Sequence, residues 1–408
     1  PYDLDENDNL KLFRKKFNFP LSNPIYFCGH SLGLQPKIAN KFVMDELNSW
    51  KNLGVDGHMN GNNPWFDYHS LLTKSMSNIV GAKAKETIVM NSLTTNLHML
   101  MISFFSPNKD KYKIMIDTPT FPSDKYAVQS QLKLHGLDPK KDLVEINTFE
   151  NNQCISNEMI LHKIKSNIDN VSLIFLSGVN YYTGQLYDMH SISKIAHDND
   201  CIIGLDLAHA AGNVKLYLNQ WNIDFAAWCG YKYLNGGPGA PSGVFIHERH
   251  LGRSDVPRFE GWWGHDKSTR FDMLEDYKPL ETVEAWQLSN PPILSMAALL
   301  ASLEIFQEAG MKSLRQKSEK LTSYLELLIN SEFEKQIEII TPISIHSRGC
   351  QLSLRLLKPV SDITKRLNER GVLCDWREPD VIRVAPVPLY NSFEDCYNFV
   401  QTIKDILK

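Results

Sequence analysis

The run Cys201-Ile202-Ile203-Gly204-Leu205-Asp206 is apolar up to its last position and too short for a helix. It reads as a buried strand that ends in a carboxylate, followed by Leu207-Ala208-His209-Ala210. A second apolar run, Phe225-Ala226-Ala227-Trp228-Cys229, comes next, and after it the turn Gly230-Tyr231-Lys232-Tyr233-Leu234-Asn235-Gly236-Gly237. We read a strand, a helix and a second strand between Asp206 and Lys232. Repetition of that unit along the chain defines an α/β domain with a mostly parallel sheet.

An Asp at a strand end and a Lys in a glycine-rich turn are the two groups that pyridoxal phosphate (PLP) needs. The lysine amine holds the cofactor as a Schiff base, and the acid faces the pyridine nitrogen so that the ring withdraws electrons from the substrate. The glycines after Lys232 are expected to let backbone approach the cofactor. Taken singly, Asp206 is as well read as a helix cap and Lys232 as a surface lysine; the pair, at this spacing, carries the functional reading.

The chain of 408 residues suits two or three domains. Its hydrophobic fraction of 43 % and charged fraction of 22 % are those of an ordinary globular protein, and its net charge of −4 excludes the basic surface of a nucleic-acid binder. No apolar run reaches the roughly 18 residues of a membrane span. The opening Pro1-Tyr2-Asp3-Leu4-Asp5 has no secretory pattern, and the cysteines (Cys28, Cys154, Cys201, Cys229, Cys350, Cys374, Cys396) are scattered with no CxxC pair. We therefore expect free thiols, no metal site and a cytoplasmic location.

Residues 1–64 read as an N-terminal arm. It contains a short strand through Ile25-Tyr26-Phe27, a helix opened by Pro36 with Ile38, Phe42, Val43, Leu47 and Trp50 at helical spacing, and a Gly/Asn-rich loop from Gly54 to Trp65 that carries His58. Residues 65–292 read as the large α/β domain. Ile88-Val89-Met90 runs into Asn91-Ser92-Leu93-Thr94-Thr95-Asn96, either an ordinary N-cap or a phosphate cradle at a helix start. Tyr112 to Asp117 is a strand, and Phe121-Pro122-Ser123-Asp124 is a loop in which Phe121 could stack on a ring and Asp124 cap the next helix. Val171 to Ser177 is a buried strand whose end places Ser177 at a ligand-binding position. Gly261-Trp262-Trp263-Gly264-His265 suggests a wet, ligand-facing edge or a dimer seam. Residues 293–408 read as a smaller C-terminal α/β domain, with Gln351 to Leu356 as a half-buried strand and Arg383 on a short strand. A planar guanidinium there suits a carboxylate held by two hydrogen bonds or, equally, a surface ion pair.

These motifs in this order resemble the kynureninase family of PLP-dependent enzymes. The resemblance runs from Tyr26 to Phe393 and rests on Gly29-His30-Ser31-Leu32-Gly33-Leu34, Asn91 to His98, Phe121 to Asp124, Ser177 to Gly184, Asp206 to Ala210, Tyr231 to Asn235, Gly261 to His265, Ser289-Asn290-Pro291-Pro292-Ile293-Leu294 and Ile382 to Pro386. It implies the PLP-dependent transferase-like fold type I and hydrolytic Cβ–Cγ cleavage of kynurenine or 3-hydroxykynurenine to an anthranilate and L-alanine. It implies Lys232 as the Schiff-base residue and proton shuttle, Asp206 at the pyridine nitrogen and Tyr231 as an assisting phenol. Phe121 would stack on the ring, with Leu93, Thr94, Pro122, Ser123, Asp124, Ser177 and His209 around the cofactor. Trp262 and Asn290 would come from the partner subunit of a homodimer. Arg383 would hold the substrate carboxylate, and Ser31, His58, Ser289 and Asn290 would contact the substrate, with His58, Ser289 and Asn290 matching a preference for the 3-hydroxy compound.

The sequence departs from the family near Glu281-Thr282, where relatives carry a Pro-Gly type turn. Rival readings are a cysteine desulfurase, an aminotransferase, or a catalytically silent member of the fold. A desulfurase needs a reactive cysteine on a mobile loop, and neither Cys350 nor Cys374 has that setting.

Overall fold

The strand that ends in Asp206 is the middle of a seven-stranded sheet in the computed structural model, which describes residues 1–22, 24–151, 153–358 and 360–408. In chain order the strands are β1 (Thr87–Met90), β2 (Lys113–Thr118), β3 (Leu143–Asn147), β4 (Val171–Ser177), β5 (Ile202–Asp206), β6 (Phe225–Trp228) and β7 (Ser242–Ile246). Their order in space is β1-β7-β6-β5-β4-β2-β3. Strands β2 to β6 are mutually parallel where they pair, and β7 runs antiparallel to both β6 and β1. The sheet is buried on both faces. Along β4, Leu173 and Phe175 enter one core while Ile174 and Leu176 enter the other, the period of two that a strand imposes.

Register fixes the level of the site. Asp206 lies beside Ser177 of β4 and Ala227 of β6, so the carboxylate and the Ser177 hydroxyl share the C-terminal edge of the parallel strands. Two helices begin at that edge: α1 (Leu93–Phe104) after β1 and α2 (Pro122–Leu134) after β2.

The connection from β5 to β6 differs from the expected helix. Ala210 and Ala211 both donate to the Leu207 carbonyl at 2.9 Å, and Val214 donates to Ala210, so helical turns start. Gly212 at φ +79° lies within the second of these turns and breaks the helical backbone there. The expected helix at Pro36 also starts later, at Ala39–Leu53, and its stripe is only partly covered: Ile38 and Trp50 are exposed while Glu46 is buried.

A second, four-stranded antiparallel sheet contains β8 (Ile337–Ile339), β9 (Leu352–Leu356), β10 (Asp375–Arg377) and β11 (Val381–Val384), in the order β8-β9-β11-β10. Strand β9 is buried at every residue, not half-buried as its alternation suggests. Its apolar residues pack on α4 (Met311–Phe333) and α5 (Phe393–Leu407), numbered after α3 (Ile293–Ala309). Its polar face sits on the loop that leaves Ser177. Ser353 Oγ donates to the Tyr182 carbonyl at 2.6 Å, Gln351 Nε2 to Tyr181 at 3.0 Å and Thr341 Oγ1 to Thr183 at 2.6 Å.

The change of core falls later than residue 293. Met296, Leu299, Leu303 and Phe306 of α3, and Leu314 of α4, belong to the core of the large sheet, whereas Leu321, Leu325 and Ile329 belong to that of the small one. The N-terminal arm lies beside the small sheet: Ile25–Tyr26 pairs with Val372–Leu373 as a separate two-stranded sheet, and Cys28 bridges to Ala385 just past β11. Among the described residues no single helix is long and apolar enough to cross a membrane; α3 and α4 reach that length and composition only together, across an 81° bend.

Candidate active site

A cavity of about 380 Å³ opens at the C-terminal edge of the large sheet, between it and β10–β11. Asp206 and Ser177 come from strand ends, Leu93 and Thr94 from the first turn of α1, and Phe121, Ser123 and Asp124 from the start of α2. The two helix starts are tied together by Thr94 Oγ1 and Ser123 Oγ at 3.0 Å. Ser92 precedes α1 without capping it; its hydroxyl pairs with Thr95 Oγ1 instead, so the first N–H groups of α1 keep no side-chain acceptor. Such a helix start suits an anion, and the ordinary N-cap alternative is set aside on this geometry. Pro122 is the first residue of α2, where its fixed φ suits a helix, and does not line the cavity. Asp124 lies inside the first turn of α2 and does not cap it.

Lys232 reaches the cavity with Nζ 3.1 Å from His209 Nε2 and 5.8 Å from the centre of the Phe121 ring. Burial, then the Lys232 charge, hold His209 well below the ordinary imidazole value, so the neutral ring accepts at Nε2 and carries its proton on Nδ1. That buried Nδ1 has no protein partner. The Lys232 turn is closed by Asn235 N–H to the Lys232 carbonyl at 2.9 Å, with Asn235 at φ +53°, and by Gly236 N–H to Gly230 at 2.9 Å. Gly236 and Gly237 serve this turn and do not line the cavity, contrary to the sequence reading. The close approach comes from Gly33, where a Cβ would overlap the Lys232 carbonyl.

Asp206 is buried and accepts from the Ala208 N–H at 2.7 Å. Burial, then the neighbouring Asp206 charge, push the Asp124 carboxyl well above its ordinary value. Ser177 is held from below by Asp117, which accepts from its N–H at 3.0 Å and its hydroxyl at 2.6 Å. Tyr231 lines the cavity, and burial followed by the neighbouring Cys229 raises its phenol above the usual range, so it stays a proton donor.

Across the cavity stands Arg383, buried on β11 and paired in register with Asp375 of β10. Its Nε donates to Asp375 Oδ1 at 2.8 Å, its Nη2 to Asp375 Oδ2, and its Nη1 to the Tyr181 carbonyl at 2.7 Å. A guanidinium has five N–H groups. One on each terminal nitrogen is left, with only a 3.5 Å approach from Nη2 to Ser31 Oγ. The surface ion-pair reading of Arg383 thus fails: the residue is internal, its side edge held by Asp375 and its end edge available to a carboxylate. Ser31 donates to Asp375 Oδ2 at 3.0 Å.

His30, Tyr181 and Arg377 also line the cavity and were not among the sequence-derived site residues. Arg377 Nη2 lies 3.1 Å from Asp375 Oδ2, and Tyr181 packs edge-on to Phe121 at 5.3 Å. Asp375 and Arg377 are two apart on one short strand and so share a face, a signal available in the sequence once the hairpin is recognised.

Four sequence-derived residues lie away from this cavity. His58 packs on Trp65 with its Nδ1 3.0 Å from the Val55 carbonyl, and Ser289 and Asn290 are exposed. Trp262 is 46 % exposed and donates to the Arg270 carbonyl at 2.9 Å, while Trp263 is buried. The wet-edge expectation for the tryptophan pair is therefore met by neither ring within this chain. One group of ligand-type side chains, Asp67, His69 and Glu284, comes together elsewhere, and Lys267 Nζ bonds both carboxylates at 2.7 Å.

Residues 314–403 match the family model described as the kynureninase C-terminal domain. A kynureninase from Koribacter versatilis is 50 % identical over 403 residues, 98 % of this chain and 95 % of that one. The chain belongs to the kynureninase family. Membership extends to distant relatives: a kynureninase from Nematostella vectensis is 41 % identical over 431 residues, 99 % of this chain and 93 % of that one. Among solved structures, a mutant of C-DES with glycine covalently linked to its PLP cofactor superposes with a TM-score of 0.81 at 16 % identity, over 96 % of this chain and 99 % of that one. A cysteine desulfurase from Thermococcus onnurineus NA1 gives 0.76 at 18 % identity, over 99 % and 97 %. At such identities the likeness gives the fold, PLP-dependent fold type I. Neither cysteine weighed for a desulfurase has a reactive setting: burial pushes Cys350 up to about 12 and Cys374 well above the ordinary thiol value.

Proposed function

We propose that the protein hydrolyses the Cβ–Cγ bond of a kynurenine to an anthranilate and L-alanine, using PLP bound through Lys232. The observation that carries this reading is the opposition of Lys232 and Arg383 across one cavity, with the Asp206 carboxylate between strand ends at its floor. The residues fit the cofactor. The open N–H groups of α1 suit its phosphate, Phe121 a ring face, Asp206 a protonated pyridine nitrogen, and the unpartnered His209 Nδ1 a further acceptor. When bound, PLP withdraws electrons from the substrate's α-carbon and so makes cleavage beyond the β-carbon possible.

The chain's own groups then have defined tasks. The end edge of Arg383 binds the substrate α-carboxylate with two parallel hydrogen bonds, fixing the α-carbon beside Lys232. Lys232 Nζ, released on substrate binding, takes and returns the α-proton, with neutral His209 beside it as an acceptor that adds no competing positive charge. Tyr231 keeps its phenolic proton and donates it toward the β-carbon as the bond breaks. Asp206, at the strand end, is the carboxylate placed to face the ring, with the Asp124 carboxyl beside it pushed up by burial.

His58, Trp262, Ser289 and Asn290 are read as the contribution of a second copy in a homodimer, supported by the exposure of Trp262, Ser289 and Asn290 away from the chain's own cavity. Of the two substrates, the 3-hydroxy compound is favoured, because a hydroxyl-binding set of His58, Ser289 and Asn290 would leave polar groups unpaired with the simpler one. The location read for the enzyme is the cytoplasm, supported by seven free thiols.

The test is turnover of both kynurenines by the PLP-loaded protein and by Lys232→Ala. The wild type is expected to release anthranilate fluorescence with a higher kcat/KM on 3-hydroxykynurenine, and the variant to show no steady-state turnover. Appreciable turnover by Lys232→Ala would sink the assignment of Lys232.

A further inference from the structure

One buried group in the cavity wall has no task in the scheme above. His30 is fully buried, and neither of its ring nitrogens has a hydrogen-bond partner. A buried imidazole without partners is costly, so its placement calls for a reason. Its contact with a charge is to Asp375, whose Oδ2 lies 3.5 Å from His30 Nε2. On its other side the ring of His209 is 6.2 Å away.

The mount of His30 is rigid. Ser31 N–H and Leu32 N–H both bond the Cys28 carbonyl, at 2.8 and 3.0 Å, and Gly33 N–H bonds the Tyr231 carbonyl at 2.9 Å. A Cβ on Gly29 would overlap the Tyr390 hydroxyl, and one on Gly33 would overlap the Lys232 carbonyl. The turn that carries His30 is thus wedged between the Lys232 turn and the segment that follows Arg383. Asp375, its target, is the hub of the opposite wall: it takes the side edge of Arg383, the Ser31 hydroxyl and Arg377.

We propose that His30 is a positioning residue for substrate binding: its Nε2–H holds the Asp375 carboxylate in the orientation that turns the end edge of Arg383 toward the substrate's α-carboxylate. This deepens the functional reading above and rests on its assignment of Arg383. Burial, then the positive charge of Arg383, depress the His30 imidazole to about 4, so the ring is neutral and has one N–H to give. Arg383, Arg377 and Ser31 already pull on Asp375 from their own directions. A donor on a rigid turn fixes which way that carboxylate faces. The 3.5 Å separation is longer than a hydrogen bond, and contacts of this kind close when the substrate is bound.

The test uses the PLP-loaded protein and two amines, L-alanine, which carries the α-carboxylate, and ethylamine, which lacks it. Binding of each is read from the change in the cofactor's visible absorbance. The variants are His30→Leu and His30→Asn, which place no donor where Nε2 sits, and His30→Gln, whose amide nitrogen does. Loss of a hydrogen bond to a charged group corresponds to about ten- to a hundred-fold in affinity. His30→Leu and His30→Asn are expected to weaken L-alanine by that factor with ethylamine unchanged, and His30→Gln to restore it. Should His30→Leu fail to fold, His30→Asn carries the same prediction. Unchanged L-alanine binding, or equal loss for both amines, would overturn the proposal. A selective L-alanine effect in the His30 variants, together with wild-type protein that turns over neither kynurenine, would leave His30 in its role and overturn the substrate assignment alone.

Discussion

Asp206 and Asp124 show how two identical groups divide their work by environment. Burial and the Asp206 charge raise Asp124 above its ordinary value, while Asp206 stands at the strand end. Asp206→Asn removes the carboxylate that the pyridine nitrogen requires, whereas Asp124→Asn changes a carboxyl whose charged form burial already disfavours. The expected outcome is a loss of kcat for Asp206→Asn of about a hundred-fold or more, and for Asp124→Asn a much smaller one, measured at saturating cofactor. Equal losses would mean that the two carboxyls do not divide the work in this way. Asp206, Lys232 and Arg383 were legible because strand ends and a Gly-rich turn announce them in the sequence. Arg377 was not, because its neighbour Arg383 and the carboxylate they share become adjacent only when β10 folds back on β11. His30 was visible as part of a glycine-bounded motif, but its burial without partners was not.

At the scale of elements, the site depends on turns more than on regular structure. Gly33 lets the N-terminal arm touch the backbone of the Lys232 turn, and an added Cβ would meet the Lys232 carbonyl and, at 2.8 Å, the Asn235 Cα. Backbone atoms cannot step aside cheaply, so Gly33→Ala is expected to displace Lys232 and weaken cofactor retention, read as loss of visible absorbance on dialysis. Full retention with wild-type Tm would show the turns to be independent. Five strands of the large sheet were readable from their apolar runs, within a residue or two at each end, whereas β3 and β7 were not singled out. The helix expected between Asp206 and Phe225 does not continue because Gly212 adopts a left-handed conformation within its second turn. The half-buried reading of β9 failed for a tertiary reason. Its polar residues face the loop Tyr181–Thr183, whose carbonyls they satisfy, and alternation alone does not say whether water or protein lies on that side.

The whole molecule carries its buried histidines as an acid liability. Burial and Arg383 lower His30 to about 4, and burial and Lys232 lower His209 further below the ordinary value. The folded state thus binds fewer protons than the unfolded one. Their stabilisation is full above about pH 6.5 and is lost as the pH falls toward the folded values. Asp224 adds to the same limb below about pH 3.9: burial raises it, but hydrogen bonds from His197 and His250 and the Arg249 charge outweigh that and hold it low. Asp124 acts in the opposite sense, since its folded value is raised and its contribution is lost as pH rises through that value. His30→Gln, which does not titrate, is expected to show a shallower fall of Tm than the wild type between pH 6.5 and 4, with cofactor saturating. An identical slope would place the acid sensitivity elsewhere.

The central claim, hydrolysis of a carbon–carbon bond with Lys232 and Arg383 on opposite walls of one cavity, is tested most directly by following the oxygen. Reaction of the PLP-loaded protein with 3-hydroxy-L-kynurenine in heavy-oxygen water, analysed by mass spectrometry, should yield L-alanine and 3-hydroxyanthranilate in equal amounts, with one heavy oxygen in the anthranilate carboxylate. Alanine without an anthranilate, or an anthranilate without the heavy oxygen, would contradict it.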